Sequence, residues 1–174
     1  MVRALRPPTG PSAARLLELL RGRGATLATA ESLTGGALAK AITDVPGASA
    51  VYLGGAVTYA TALKTALLGV STQLVAEHGV VSAPCAAAMA DGIRRATGSS
   101  YALSTTGVAG PDLQEGKAVG TVYVGIATPD GTTVLALELA GERAAIRERT
   151  CHEAVAALLA ALEPHDASGA GGQD

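Results

Sequence analysis

The stretch Ala25-Thr26-Leu27-Ala28-Thr29-Ala30, followed at once by Glu31-Ser32-Leu33-Thr34-Gly35-Gly36, decides how this chain reads. ATLATA carries no charge and is β-prone, as expected of a strand covered on both faces. The text then turns to polar and glycine residues, and a small-residue helix is expected to about Thr43. A strand that ends in a glycine-bearing turn and feeds a helix is the repeating unit of an α/β sheet. Ligands collect at such strand exits, because loops vary there and helix N-termini offer unpaired N–H groups.

Outward from this unit the pattern repeats. Upstream, Ser12 can cap a helix with Leu16, Leu17, Leu19 and Leu20 on its apolar side, stopped near Gly22 and Gly24. Downstream, Pro46, Gly47 and Ser49 mark a loop, and Tyr52 to Ala60 reads as extended, with Gly54 and Gly55 suggesting a bulge or a close backbone approach. Helices are expected over Thr61 to Leu68 and Ser71 to His78. Ser82 opens the clearest helix, with Pro84 in its first turn and Gly98 at its exit. Tyr101 to Thr106 is a second buried-type strand, running into Gly107-Val108-Ala109-Gly110-Pro111-Asp112. Val119 to Thr128 and Thr132 to Ala140 flank Pro129-Asp130-Gly131 as an antiparallel hairpin. A last helix is expected from Glu142 to Leu162. The reading is a three-layer α/β/α sandwich with a mixed sheet and a C-terminal antiparallel hairpin. One domain is expected over residues 11–163, with residues 1–10 and 164–174 as flexible segments.

Composition narrows the function. The chain has 174 residues, 48% hydrophobic and 16% charged, with formal net charge −2. It holds neither Trp nor Phe and only four tyrosines, too few for stacking platforms, and it has no basic run, so nucleic acid is not an expected partner. Cys85 and Cys151 stand far apart and read as small core residues in a reducing cytoplasm. His78, His152 and His165 form no ligand pattern, so no metal or cofactor is expected. No apolar run is long enough to span a membrane.

Two strand exits look specialised. In ESLTGG, Ser32 follows the strand while Thr34, Gly35 and Gly36 leave backbone N–H groups uncovered for an oxyanion or phosphate; Ser32 or Thr34 could equally serve only as a helix cap. In TTGVAGPD, Thr105 and Thr106 stand before Gly107 and Gly110, in a loop that could be a ligand cradle or a plain connection. No dinucleotide or P-loop fingerprint is matched. A serine nucleophile needs a base. No histidine lies at a strand exit, which leaves a lysine, Lys40, Lys64 or Lys117; Lys64 follows Tyr59 in VTYATALK, where partial burial would lower its pKa, and each of the three reads alternatively as a solvated surface group. Arg143 and Arg147 lie four apart on the last helix, either as a clamp for a phosphate or carboxylate or as a surface paired with Glu142 and Glu148.

The runs TAESLTGG, ITDVPGASAVYLGG, VTYATALK, LLGV, HGVVS, TGVAGP and VGTVYV, in that order over residues 13–162, resemble the C-terminal domain of competence/damage-inducible protein CinA, which also occurs alone as nicotinamide-nucleotide amidase. The resemblance implies an α/β/α fold and hydrolysis of nicotinamide mononucleotide to nicotinate mononucleotide and ammonia, without metal or cofactor, in a cytoplasmic homo-oligomer. It implies Ser32 as nucleophile, Lys64 as general base and Tyr59, Thr106 and an arginine, Arg147 before Arg143, as supporting residues. N–H groups at the helix start, around Thr34, Gly35 and Gly36, would hold the oxyanion, and the loop with Gly107 and Gly110 would hold the nucleotide. Two departures stand out: Leu33 replaces the cysteine of the familiar ESCTGG, and LQEGKAVG after Asp112 lacks the family's glycine pair and proline. The resemblance does not reach the pyrophosphatase part of full-length CinA. The alternative is a nucleotide-binding or regulatory module that does not hydrolyse.

Overall fold

The computed structural model describes residues 11–163; the segments expected to be flexible, 1–10 and 164–174, lie outside them. A five-stranded mixed sheet has the order β2-β1-β3-β4-β5. Its strands are β1 (Leu27–Glu31), β2 (Tyr52–Val57), β3 (Tyr101–Gly107), β4 (Thr121–Thr128) and β5 (Gly131–Glu138). β1 runs parallel to both β2 and β3, while β3, β4 and β5 are antiparallel. Every residue of β1 is buried, which is why its sequence lacks the alternation of a half-exposed strand.

Helices cover both faces, giving the three expected layers. On one face, α1 (Pro11–Gly22), α2 (Ala37–Thr43) and α6 (Arg143–Leu162) close a core of leucines and branched residues that includes Leu16, Leu38, Leu103, Ile146 and Leu158. On the other, α3 (Thr61–Leu68), α4 (Thr72–His78) and α5 (Ala83–Thr97) close a smaller core around Leu68, Met89 and Ile93. The interior helix α5 starts where its sequence says it should: the Ser82 hydroxyl accepts from the Cys85 N–H, and Gly98 ends the helix in the left-handed region.

Boundaries shift by a few residues from the sequence expectation. β1 starts at Leu27, not Ala25, and includes Glu31; β2 ends at Val57, leaving Thr58 to Ala60 as a loop. Gly54 and Gly55 are both a bulge and a close approach. The β1–β2 register slips between Leu27 and Ala28, and a Cβ on Gly55 would lie 2.5 Å from the Thr29 carbonyl oxygen. Cys85 and Cys151 are buried and free, as their spacing suggested.

Because β1 lies between two parallel neighbours, the C-terminal ends of β1, β2 and β3 open at one edge of the sheet. The chain leaving β1 goes to α2 on one face and the chain leaving β2 goes to α3 on the other. The crevice between such diverging connections is where open α/β sheets hold ligands.

Candidate active site

A cleft of about 300 Å³ lies at this edge, at the small end of the range for small-molecule sites. Five separate segments wall it: Ser32 and Leu33 after β1, residues between Tyr59 and Lys64 after β2, Val80 and Val81 before α5, Thr106 to Gln114 at and beyond the end of β3, and Arg143 at the start of α6.

Ser32 emerges from β1 with its backbone N–H bonded to the Thr105 carbonyl, so the strand pairing with β3 continues to the serine itself. Lys64 projects from α3 into the interior and is only 1% exposed. Its Nζ lies 3.1 Å from Ser32 Oγ and donates to the Thr58 carbonyl at 2.6 Å. Burial lowers the Lys64 pKa from the ordinary lysine value, while Cys85 and Glu115 act in the opposite direction. A neutral amine here can donate to Thr58 O and turn its lone pair towards the serine hydroxyl, the arrangement that activates a nucleophile. The nearby Cys85 is no rival, because burial pushes its thiol up to about 11 and keeps it protonated near neutral pH.

The turn that carries Ser32 is held from two sides. Glu31, 1% exposed, places one carboxylate oxygen on the Thr34 hydroxyl and on the N–H groups of Gly36 and Leu38, and the other on the N–H of Ala39. Arg147 reaches over from α6 and donates to the carbonyls of Leu33 at 2.9 Å and Thr34 at 2.8 Å. Both sets are charge-assisted, and together they satisfy polar groups of a tight turn that regular structure leaves unpaired.

This clamping corrects part of the sequence expectation. Most N–H groups at the start of α2 are already taken: Gly36, Leu38 and Ala39 donate to the Glu31 carboxylate, Gly35 to the Ser32 carbonyl and Ala37 to the Thr34 carbonyl, so among the expected oxyanion donors only the Thr34 N–H makes no hydrogen bond to a described residue. Thr34 points inward, sharing its hydroxyl with Glu31 and Thr105, and Thr34, Gly35 and Gly36 are not in the cleft wall. Arg147 is likewise turned to the backbone of the Ser32 turn and not to the cleft. The surface-pair alternative does not describe the two arginines, which bond carbonyls and a tyrosine and not Glu142 or Glu148, and of the two only Arg143 lines the cleft where a clamp could act.

The remaining residues come together. Arg143 stands at the mouth, donating to the Gly110 carbonyl at 2.7 Å and to the Tyr59 hydroxyl at 2.8 Å. Thr106 is buried and bonds the Val80 carbonyl, while Gly107 and Gly110 line the cleft beside it. Around the cleft, the backbone N–H groups of Leu33, Thr34, Ala109 and Gly110 make no hydrogen bond among the described residues. No group of three or more His, Cys, Asp or Glu side chains among those residues could hold a metal ion.

Sequence reasoning missed Glu31, Thr58 and Glu115. Glu31 had a signal: it is the single charge at the end of an otherwise uncharged buried strand, where only a paired carboxylate is tolerated. The Thr58 contribution is a carbonyl, which no sequence motif displays.

Comparison with known proteins places these features in context. A family model described as the CinA C-terminal domain matches residues 10–162. A CinA-like protein of Frankia casuarinae is 55% identical over 132 residues, covering 76% of this chain and 30% of that protein. One of Geobacter sulfurreducens is 54% identical over 133 residues, covering 76% and 32%. The chain therefore spans about a third of the length of these curated relatives. Among solved structures, competence damage-inducible protein A of Klebsiella pneumoniae superposes with TM-score 0.87 at 32% identity, over 90% of this chain and 98% of that one. A competence or damage-inducible protein of Enterobacter asburiae gives 0.88 at 28% identity, over 91% and 100%.

Proposed function

The chain belongs to the CinA C-terminal domain family, and from that premise we propose that it is an amidohydrolase converting nicotinamide mononucleotide to nicotinate mononucleotide and ammonia. The observation that carries the reading is the 3.1 Å approach of a buried lysine amine to the Ser32 hydroxyl at the floor of a cleft.

In the forward step, Ser32 Oγ attacks the carboxamide carbon as its proton passes to Lys64 Nζ. The carbonyl oxygen becomes an oxyanion, for which the free N–H groups of Leu33, the residue after the nucleophile, and Thr34 are available donors. The tetrahedral adduct collapses by breaking the C–N bond, and Lys64 returns the proton to the departing ammonia. A water then attacks the Ser32 ester with Lys64 again taking its proton, releasing the carboxylate and restoring the serine. The net consumption is one water for each ammonia released.

The mouth suits the other end of the substrate. Arg143 and the free N–H groups of Ala109 and Gly110 offer a positive, donor-rich rim to a phosphate. Tyr59, bonded to Arg143, keeps that guanidinium over the cleft. Arg147 serves as a positioning residue for the Ser32 turn.

Ammonia release from a panel of amides tests the substrate. Nicotinamide mononucleotide should be turned over with kcat/KM at least about a hundredfold above free nicotinamide, since phosphate contacts contribute only to the nucleotide. Equal rates on the two amides would contradict a nucleotide site, and nucleotide binding without turnover would favour the non-hydrolytic module.

A further inference from the structure

The segment 112–118 is anchored in an unusual way. Gln114 and Lys117 bond each other through the backbone in both directions, at 3.3 and 2.8 Å, around a two-residue tip of Glu115 and Gly116. Both tip residues have positive φ, 52° and 71°, as in a type I′ turn. Glycine adopts that conformation freely, but a glutamate does so only at a cost, and Glu115 is the one non-glycine residue with positive φ among the described residues.

What holds it there is its side chain. One carboxylate oxygen accepts from the Val80 N–H at 3.1 Å and the other from the Val81 N–H at 3.0 Å. The Gly79–Val81 segment leaves room for it: a Cβ on Gly79 would stand 2.4 Å from the Glu115 carboxylate oxygen and would displace the carboxylate from its present place. Val80 and Val81 are buried wall residues of the cleft, and the Val80 carbonyl takes the Thr106 hydroxyl. On the other side of the tip, Asp112, Leu113 and Gln114 form the outer wall of the same cleft. Leu113 is 67% exposed, so no apolar packing fixes this wall from outside.

We infer that Glu115 is a positioning residue of the cleft: its carboxylate ties the 112–118 hairpin to the Val80–Val81 backbone and thereby sets how tightly the outer wall grips the substrate. The inference rests on the amidase reading for its kinetic consequence, but the anchorage itself does not. A strained backbone retained for two charge-assisted hydrogen bonds between cleft walls fits a role in substrate grip better than one in folding.

The test is Glu115→Asn, which suits a positive-φ tip better than glutamate but is too short to hold both N–H groups. Glu115→Gln serves as the partial replacement. Amide hydrogen exchange at Val80, Val81 and residues 112–118 should quicken by about tenfold in Glu115→Asn, with thermal stability close to wild type. KM for nicotinamide mononucleotide should rise about tenfold with kcat within about threefold, and Glu115→Gln should fall between the two. Wild-type exchange rates in Glu115→Asn would overturn the inference whether or not the protein is active. So would a fall in kcat at unchanged KM. An inactive wild type would instead contradict the amidase reading, leaving the exchange comparison to decide the anchorage.

Discussion

The Lys64 amine is buried next to a serine, and burial works against its charged form. Burial lowers its pKa below the 10.5 of an ordinary lysine. The proposed base is active only when neutral, so kcat/KM should rise with pH and level off at a pH below that value. Lys64→Ala should cost activity by about 10² to 10⁴, and Lys64→Arg should not rescue it, because a guanidinium stays protonated. A pH-rate series on wild type and both variants checks this; an acid limb at an unperturbed lysine value would contradict the proposed environment. The same shift has a stability consequence of definite sign. Between the lowered folded pKa and 10.5 the unfolded chain binds the extra proton, so this residue's contribution to stability rises with pH through that window.

At the scale of elements, the Ser32 turn is where β1, α2 and α6 meet, and the buried Glu31 and the half-buried Arg147 hold it. Glu31→Gln should lower stability by about 2–4 kcal/mol, because an amide nitrogen would face N–H donors that now meet a carboxylate. Denaturant unfolding measures it, and a loss below about 0.5 kcal/mol would mean the carboxylate does not hold α2 as described. Arg143→Ala and Arg147→Ala should separate cleanly. The first should raise KM about tenfold without loss of stability, while the second should lower kcat and stability together. A KM effect from Arg147 instead would return it to the substrate. The elements themselves were largely legible. The uncharged run before Glu31, the Ser82-to-Gly98 punctuation and the Pro129–Gly131 hairpin each announce local structure through chemistry that acts within a few residues. What was not legible was the use of the turn. From spacing, Gly35 and Gly36 offer N–H groups to a ligand; only the folded path shows that the Ser32 carbonyl takes the first and the Glu31 carboxylate the second.

At the scale of the whole molecule, the site exists because the sheet order brings together residues that are 32 apart in sequence for Ser32 and Lys64, and 84 apart for Tyr59 and Arg143. No local pattern encodes those distances. They follow from β1 lying between β2 and β3, which sends the β2–α3 connection back over the serine, and from α6 docking its N-terminal end against the β3 exit. The family resemblance nominated Ser32, Lys64, Tyr59, Thr106 and an arginine; the structure gathers Arg143 with the first four around one cleft and turns Arg147 to the scaffold. The central claim is that this gathered set hydrolyses an amide through Ser32. The direct measurement is ammonia release from nicotinamide mononucleotide by purified wild type and Ser32→Ala, each with and without EDTA. Wild type should turn over in both conditions and the variant should lose about 10³-fold or more; substantial activity in Ser32→Ala, or folded wild type that releases no ammonia, would contradict hydrolysis through Ser32.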